Sequence, residues 1–206
     1  MEGDVPEESV IARSDIRLTL ARLKFFEGLN VDIINAIAAE LHWLSLPLVV
    51  FLLLEGIYMV TLTYYDPLYH TLPQWHKVAG VSLLLLTLLR IVWIITNPAP
   101  AVLAQQRWQQ LAARLVHRLL YGLLLLLGAT GYCFTTAEGH PIEVVAGLKI
   151  PALFTLSPAS VTLLGELHQW SAYALGGLIC LHAGAALQHH FLYRDNTLKR
   201  MLKPLP

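Results

Sequence analysis

The segment from Leu167 to Phe191, LHQWSAYALGGLICLHAGAALQHHF, is apolar apart from its histidines. His168 and His182 stand 14 residues apart, close to four helical turns. On one helix they face the same way, within about 40°, and lie roughly 21 Å apart along its axis. His42, His76 and His117 sit in other apolar stretches of the chain. Ionisable side chains inside a membrane bundle mark functional sites by default. Imidazole can relay protons, ligate a metal ion, or hold a haem iron axially. A zinc or copper site gathers its ligands at one depth, often with Cys, Asp or Glu. These histidines instead fall into two layers, and no acidic or thiolate company is expected inside the spans. Two b-type haems, each gripped by imidazoles from facing helices, need such layers about 20 Å apart.

The elements that position these residues follow from composition. The chain has 206 residues, 56% of them hydrophobic and only 14% charged. Windows at residues 41–62, 78–95, 115–134 and 167–187 are each long enough to cross a bilayer core of about 30 Å, which takes roughly 20 residues. The expected fold is all-α, a polytopic up-and-down bundle of four transmembrane helices enclosing two b-type haems. Arg13, Arg17, Arg22 and Lys24 precede helix 1, Arg107, Arg114 and Arg118 flank the helix 2–3 connection, and Arg194, Lys199, Arg200 and Lys203 follow helix 4. The other side offers Lys77 and Lys149. The positive-inside rule puts both termini in the cytoplasm. His42, His117 and His182 then lie toward the cytoplasmic face, and His76 and His168 toward the outer face.

Residues 1–38 read as a cytoplasmic extension: an acidic start to about residue 9, then an amphipathic helix over 10–27 that continues without a breaker into helix 1. Residues 39–206 form the membrane domain. Helix 2 is expected to stop at the NPAP of 97–100. The connection from 135 to about 165, with Pro141, Pro151 and Pro158, is expected to lie on the membrane surface or cap the bundle. Cys133 and Cys180 fall near opposite faces and read as small packing residues.

Glycines and one arginine extend the haem reading. Gly56 and Gly131 follow His42 and His117 by 14 residues, and Gly80 lies one turn past His76. A flat macrocycle between helices needs positions without a side chain. Arg90, 14 residues after His76, falls near the inner layer, where a buried guanidinium needs an anion such as a haem propionate. These residues alone leave open which imidazole faces His182: His42 and His117 both qualify.

The stretches LHWL (41–44), YYDPLYH (64–70), WHKVAG (75–80), LLRIVW (88–93), AARLVHRLLY (112–121), GHPIEVVAGLKIPALF (139–154) and HAGAALQHHFLYRDNTLKRML (182–202) resemble the bacterial cytochrome b561 family of four-helix di-haem membrane cytochromes. The resemblance covers nearly everything from Glu40 onward. It implies that His42 and His182 hold the inner haem iron and His76 and His168 the outer one. Arg90, His117, Gly56, Gly80 and Gly131 would form the haem environment, and His189 would contact a quinone. The cofactors implied are two haem b, with ubiquinone or another membrane quinone as substrate. The function implied is electron transfer across the bacterial inner membrane between a periplasmic redox partner and quinone.

One class within the family oxidises superoxide and passes its electrons to ubiquinone. An anionic substrate calls for positive steering. The outer segments carry Asp66, Glu138, Glu143 and Glu166 against Lys77 and Lys149, so superoxide oxidation ranks second. A haem-bearing subunit of a larger membrane redox complex ranks third, suggested by the extension over 1–38. Lipid is the expected surrounding partner, and no nucleic acid.

Overall fold

A computed structural model describes residues 7–97, 106–144 and 147–202, with side chains described from residue 33 onward. Long helices dominate: α1 (Glu7–Met59), α2 (Thr71–Thr96), α3 (Arg107–Thr135) and α4 (Pro158–Phe191). Stretches of all four are long and apolar enough to cross a membrane, α1 from Ile33 to Met59 and the others over their full length. Large apolar side chains on the outside, such as Leu85, Ile95, Leu163 and Leu181, are more than half exposed, as lipid-facing residues should be.

α1 runs unbroken from the extension into the first span. The amphipathic pattern expected over 10–27 rests on side chains outside the described set. Pro47 sits inside α1 without ending it, a tolerance typical of membrane helices. α2 ends at Thr96, with the Asn97 N–H closing on Trp93 O at 3.0 Å, one residue short of the first proline of NPAP.

α4 begins at Pro158, well before the apolar window that opens at 167. Its start is set by chemistry rather than hydropathy. Pro158 occupies the first turn, where a missing N–H costs nothing. The Ser157 hydroxyl accepts the Ser160 N–H at 3.3 Å as N-cap.

α1 packs on α2, α2 on α3 and α3 on α4. Gly128 marks the tight point between α2 and α3, because a Cβ there would lie 2.7 Å from Leu84 Cδ1. Val49, Leu83 and Leu175 form the buried centre, with Leu124 packed against them. Each stands seven residues, two turns, after a histidine: His42, His76, His168 and His117 respectively. The apolar core thus lies midway between the two imidazole layers.

The connection between α3 and α4, at the end expected to face outward, folds back on the bundle. β1 (Ile142–Glu143) pairs antiparallel with β2 (Lys149–Ile150), Ile142 opposite Ile150 and Glu143 opposite Lys149. Lys149 Nζ is 2.6 Å from Glu143 Oε1, and its hydrogen bond and charge hold that carboxyl below its ordinary value. The Tyr132 hydroxyl donates to Pro151 O at 2.8 Å and accepts the Leu153 N–H at 3.2 Å. Within this connection Thr136, Ala137 and Ile142 are buried, and the Leu156 N–H donates to Ala137 O at 3.0 Å.

At the opposite end α4 stops at Phe191, and the chain turns through the left-handed Arg194 (φ 53°) into α5 (Thr197–Leu202). Trp43 Nε1 of α1 donates to Met201 O at 2.6 Å, tying this tail to the start of the first span.

Candidate functional site

α4 presents His168 to an imidazole on one helix and His182 to imidazoles on two others. Near the outer end, the ring centres of His168 and of His76 on α2 are 6.2 Å apart. Near the other end, His182 lies 6.3 Å from His42 on α1 and 5.4 Å from His117 on α3. All five histidines expected in the spans therefore gather in the bundle, two in one layer and three in the other.

These spacings test whether a haem iron fits. A metal–imidazole nitrogen bond is about 2.0 Å, and the ring centre lies about 1.1 Å beyond the nitrogen, so two rings across one iron sit about 6.2 Å apart. The His76–His168 and His42–His182 pairs meet that requirement. The residues fit the group.

The second ring nitrogens are held in distinct ways. In α3, the Thr130 hydroxyl donates to Leu126 O at 2.7 Å and lies 3.1 Å from His168 Nδ1. With its single proton committed to a carbonyl, that oxygen accepts from the imidazole N–H, leaving His168 Nε2 with a free lone pair. Arg90 Nη2 lies 3.2 Å from His42 Nδ1 and Nη1 lies 3.5 Å from Ser45 Oγ, while the guanidinium stacks 5.3 Å from the Tyr121 ring centre. Arginine is always a donor, so this contact suits a His42 whose proton is on Nε2. Metal at Nε2 would shift that proton to Nδ1, and Arg90 would then need an anionic acceptor.

Near His76 the structure corrects the expectation that the spans lack acidic company. Glu55 of α1 is 6% exposed, and its Oε2 is 3.4 Å from His76 Nδ1. The carboxylate lies 13 residues after His42 and belongs to the outer layer, where it escapes a survey restricted to loop charges.

The glycines divide. A Cβ at Gly131 would come within 3.2 Å of His168 Cε1, and one at Gly56 within 3.6 Å of His76 Cε1. Both lie against the outer pair. At Gly80 a Cβ would meet nothing within 4 Å, so that position leaves room without touching a histidine.

His189 lies two turns beyond His182 on α4, and its Nδ1 is 2.5 Å from Asp195 Oδ2. Asp195 Oδ1 accepts the Thr197 N–H at 2.8 Å. Burial pushes the Asp195 carboxyl up, but the hydrogen bonds from Thr197 and His189 outweigh it and hold the group below its ordinary value. Asp195 is a partner that inspection of helix 4 alone misses, because it lies past the turn at Arg194.

This architecture defines a class: a four-span membrane bundle with facing imidazole pairs near its two ends, suited to holding flat metal macrocycles between helices. The chain belongs to the prokaryotic cytochrome b561 family, whose model matches residues 34–204. It is 40% identical over 169 residues to cytochrome b561 homolog 2 of Escherichia coli strain K12, covering 82% of this chain and 90% of that protein. Cytochrome b561 homolog 1 of the same organism is 34% identical over 108 residues, 52% of this chain and 57% of that protein. The probable superoxide oxidase CybB of Yersinia pestis is 28% identical over 128 residues, 62% of this chain and 72% of that protein. Family membership makes the chain a multi-pass bacterial membrane protein of electron transfer and implies b-type haem.

Proposed function

We propose that the chain carries single electrons across the bacterial inner membrane, between a donor at the outer face and a membrane quinone at the cytoplasmic face. The observation that carries this reading is the recurrence, four turns apart on α4, of imidazole pairs spaced at 6.2 and 6.3 Å. His76 and His168 would hold one b haem and His42 and His182 the other. When bound, such haems would supply one-electron redox chemistry.

The remaining roles belong to the protein's own side chains. Thr130 fixes the tautomer of His168, and Arg90, displaced from His42 Nδ1 by a proton there, would turn to a haem propionate. His117, packed edge-on against His182, serves as a polar wall of the inner site. Gly56, Gly80 and Gly131 leave the outer site free of side chains. His189, oriented by Asp195, can hand a proton to a quinone oxygen and regain it from the cytoplasmic side. Residues 1–38 stand as an extension preceding the di-haem domain of 39–206, and the family match begins at residue 34.

Superoxide oxidation is the second reading, favoured by the name of the Yersinia relative. The ion pair of Lys149 with Glu143 weakens it, because it neutralises one of the few outer cations available for steering an anion. A third reading makes the chain a haem-bearing subunit of a larger complex docked through residues 1–38. Removing residues 1–30 should then abolish partner co-purification, and unchanged co-purification would refute that role.

A redox-titrated visible spectrum of the purified protein, with haem counted per chain, tests the main reading. Two b-type centres with separable titrations are expected, and a single centre or none refutes it. Mixing the oxidised protein with superoxide in a stopped-flow instrument separates the second reading, which requires haem reduction above the background rate.

A further inference from the structure

Glu55 is the one carboxylate in the described spans that is buried, and its side chain is 3% exposed. Neither of its oxygens has a hydrogen-bond partner among the described residues, and neither does His76 Nδ1. The two groups are 3.4 Å apart, each the other's polar neighbour. An ionised carboxylate in such a place is costly unless a donor or a positive charge meets it.

His76 offers both. With metal on Nε2, its Nδ1 carries a proton aimed at the Glu55 side. A ferric porphyrin core with two neutral imidazoles carries one more positive charge than the ferrous core. Glu55 therefore has more to gain from the oxidised state.

The surroundings make this contact specific. Gly56, the next residue, lies beside His76, where a Cβ would make an ordinary contact 3.6 Å from its Cε1, so α1 lies against this ring. The facing imidazole, His168, meets neutral groups, the Thr130 hydroxyl 3.1 Å from its Nδ1 and the Leu127 backbone carbonyl. In the other layer the group at His42 Nδ1 is a cation, Arg90, at 3.2 Å. One imidazole layer thus carries a buried carboxylate and the other a buried guanidinium.

We propose that Glu55 is a positioning residue for the outer centre. It accepts the His76 Nδ1–H, strengthens that imidazole as a ligand, and favours the oxidised iron, while Arg90, still a cation beside the inner centre after turning to a propionate, favours the reduced form there. The outer potential is held below the inner one, which biases electrons inward toward the quinone side. The proposal rests on the bis-histidine reading of the two layers.

Redox titration of Glu55→Gln in the full-length, haem-loaded protein is the test. Glutamine keeps the shape and the acceptor oxygen and removes the charge. The expected result is two haems per chain with the outer centre easier to reduce by at least tenfold in its equilibrium constant, about 59 mV for one electron, and the inner centre unmoved. Two haems with both midpoints unchanged overturns the proposal. Failure of the wild-type protein to bind two haems instead overturns the underlying bis-histidine reading, so the two failures are distinguishable. Should Glu55→Gln not fold, the wild type decides through the low-spin ferric EPR spectrum of the outer centre. Its g-anisotropy should show imidazolate-like character, and a spectrum of two neutral imidazoles overturns the proposal.

Discussion

Replacing His42 and His117 separately by alanine asks which imidazole shares an iron with His182. The ring centres stand 6.3 Å apart in one pair and 5.4 Å in the other. An iron with bonds of about 2.0 Å needs about 6.2 Å between the rings. The His117 pair is therefore short by about 0.8 Å on the same bond length, too close for an iron between the rings without moving a helix. His42→Ala should lower the haem count from two per chain to one, or leave an inner centre that is five-coordinate, high-spin and open to carbon monoxide. If that site is normally saturated a thousandfold above its dissociation constant, its emptying also removes about 4 kcal/mol of stabilisation. His117→Ala should retain two low-spin centres and change only the inner one's potential. Pyridine haemochrome assay per chain, a carbon monoxide difference spectrum and a melting curve read all of this on the same samples. If His117→Ala loses the inner haem while His42→Ala keeps it, the spacing argument is wrong.

Three further changes address other contacts. Gly131→Ala brings a Cβ within 3.2 Å of His168 Cε1, so the outer centre should be perturbed or lost while the inner survives, as visible redox titration would show. Trp43→Phe removes the donor to Met201 O and should cost about 1 kcal/mol of α5 docking, read as faster proteolysis of the C-terminal tail. Asp195→Asn should slow quinone reduction and leave both haem spectra intact, since Asp195 orients His189 without touching the imidazole pairs. Because its folded carboxyl lies below the ordinary value, the stabilisation from Asp195 is complete above an unfolded pKa of about 3.9 and fades as pH falls through the lower folded value. Tail proteolysis should therefore be flat from neutral pH to about pH 5 and rise below about pH 4; loosening near pH 6 would contradict this.

What could be read along the chain was periodic. The 14-residue step from His168 to His182 fixes a face and a distance on one helix, and hydropathy places four spans around it. What could not be read lies across helices. Thr130 reaches a histidine 38 residues away, and Arg90 reaches one 48 residues away. No local pattern marks Thr130, and the 14-residue step from His76 that places Arg90 near the inner layer does not show that it meets His42. Glu55 was hidden for another reason: 13 residues after His42, it was neither a loop charge nor on the stripe of 14-residue partners. The start of α4 was misplaced because a Ser157–Pro158 cap opens the helix before its apolar stretch begins.

The bundle gives one helix both jobs that a transmembrane relay requires. α4 sets the spacing between the layers by its own rise, so two imidazoles on a single rigid rod keep that distance whatever the other helices do. Identity is then assigned to each layer from outside the rod. α1 and α2 supply a carboxylate and its imidazole at one end and exchange roles at the other, where α1 brings His42 and α2 brings Arg90. Opposite charges on the same two helices, one per layer, separate the electrostatic environments without altering the ligands. Removing both, with Glu55→Gln and Arg90→Gln in one chain, should bring the two midpoints together from both sides. The double variant should match the sum of the single shifts, because the sites are four turns apart and share no polar partner. A double variant whose midpoints stay as far apart as in the wild type would show that burial of the rings, not these two charges, sets the difference.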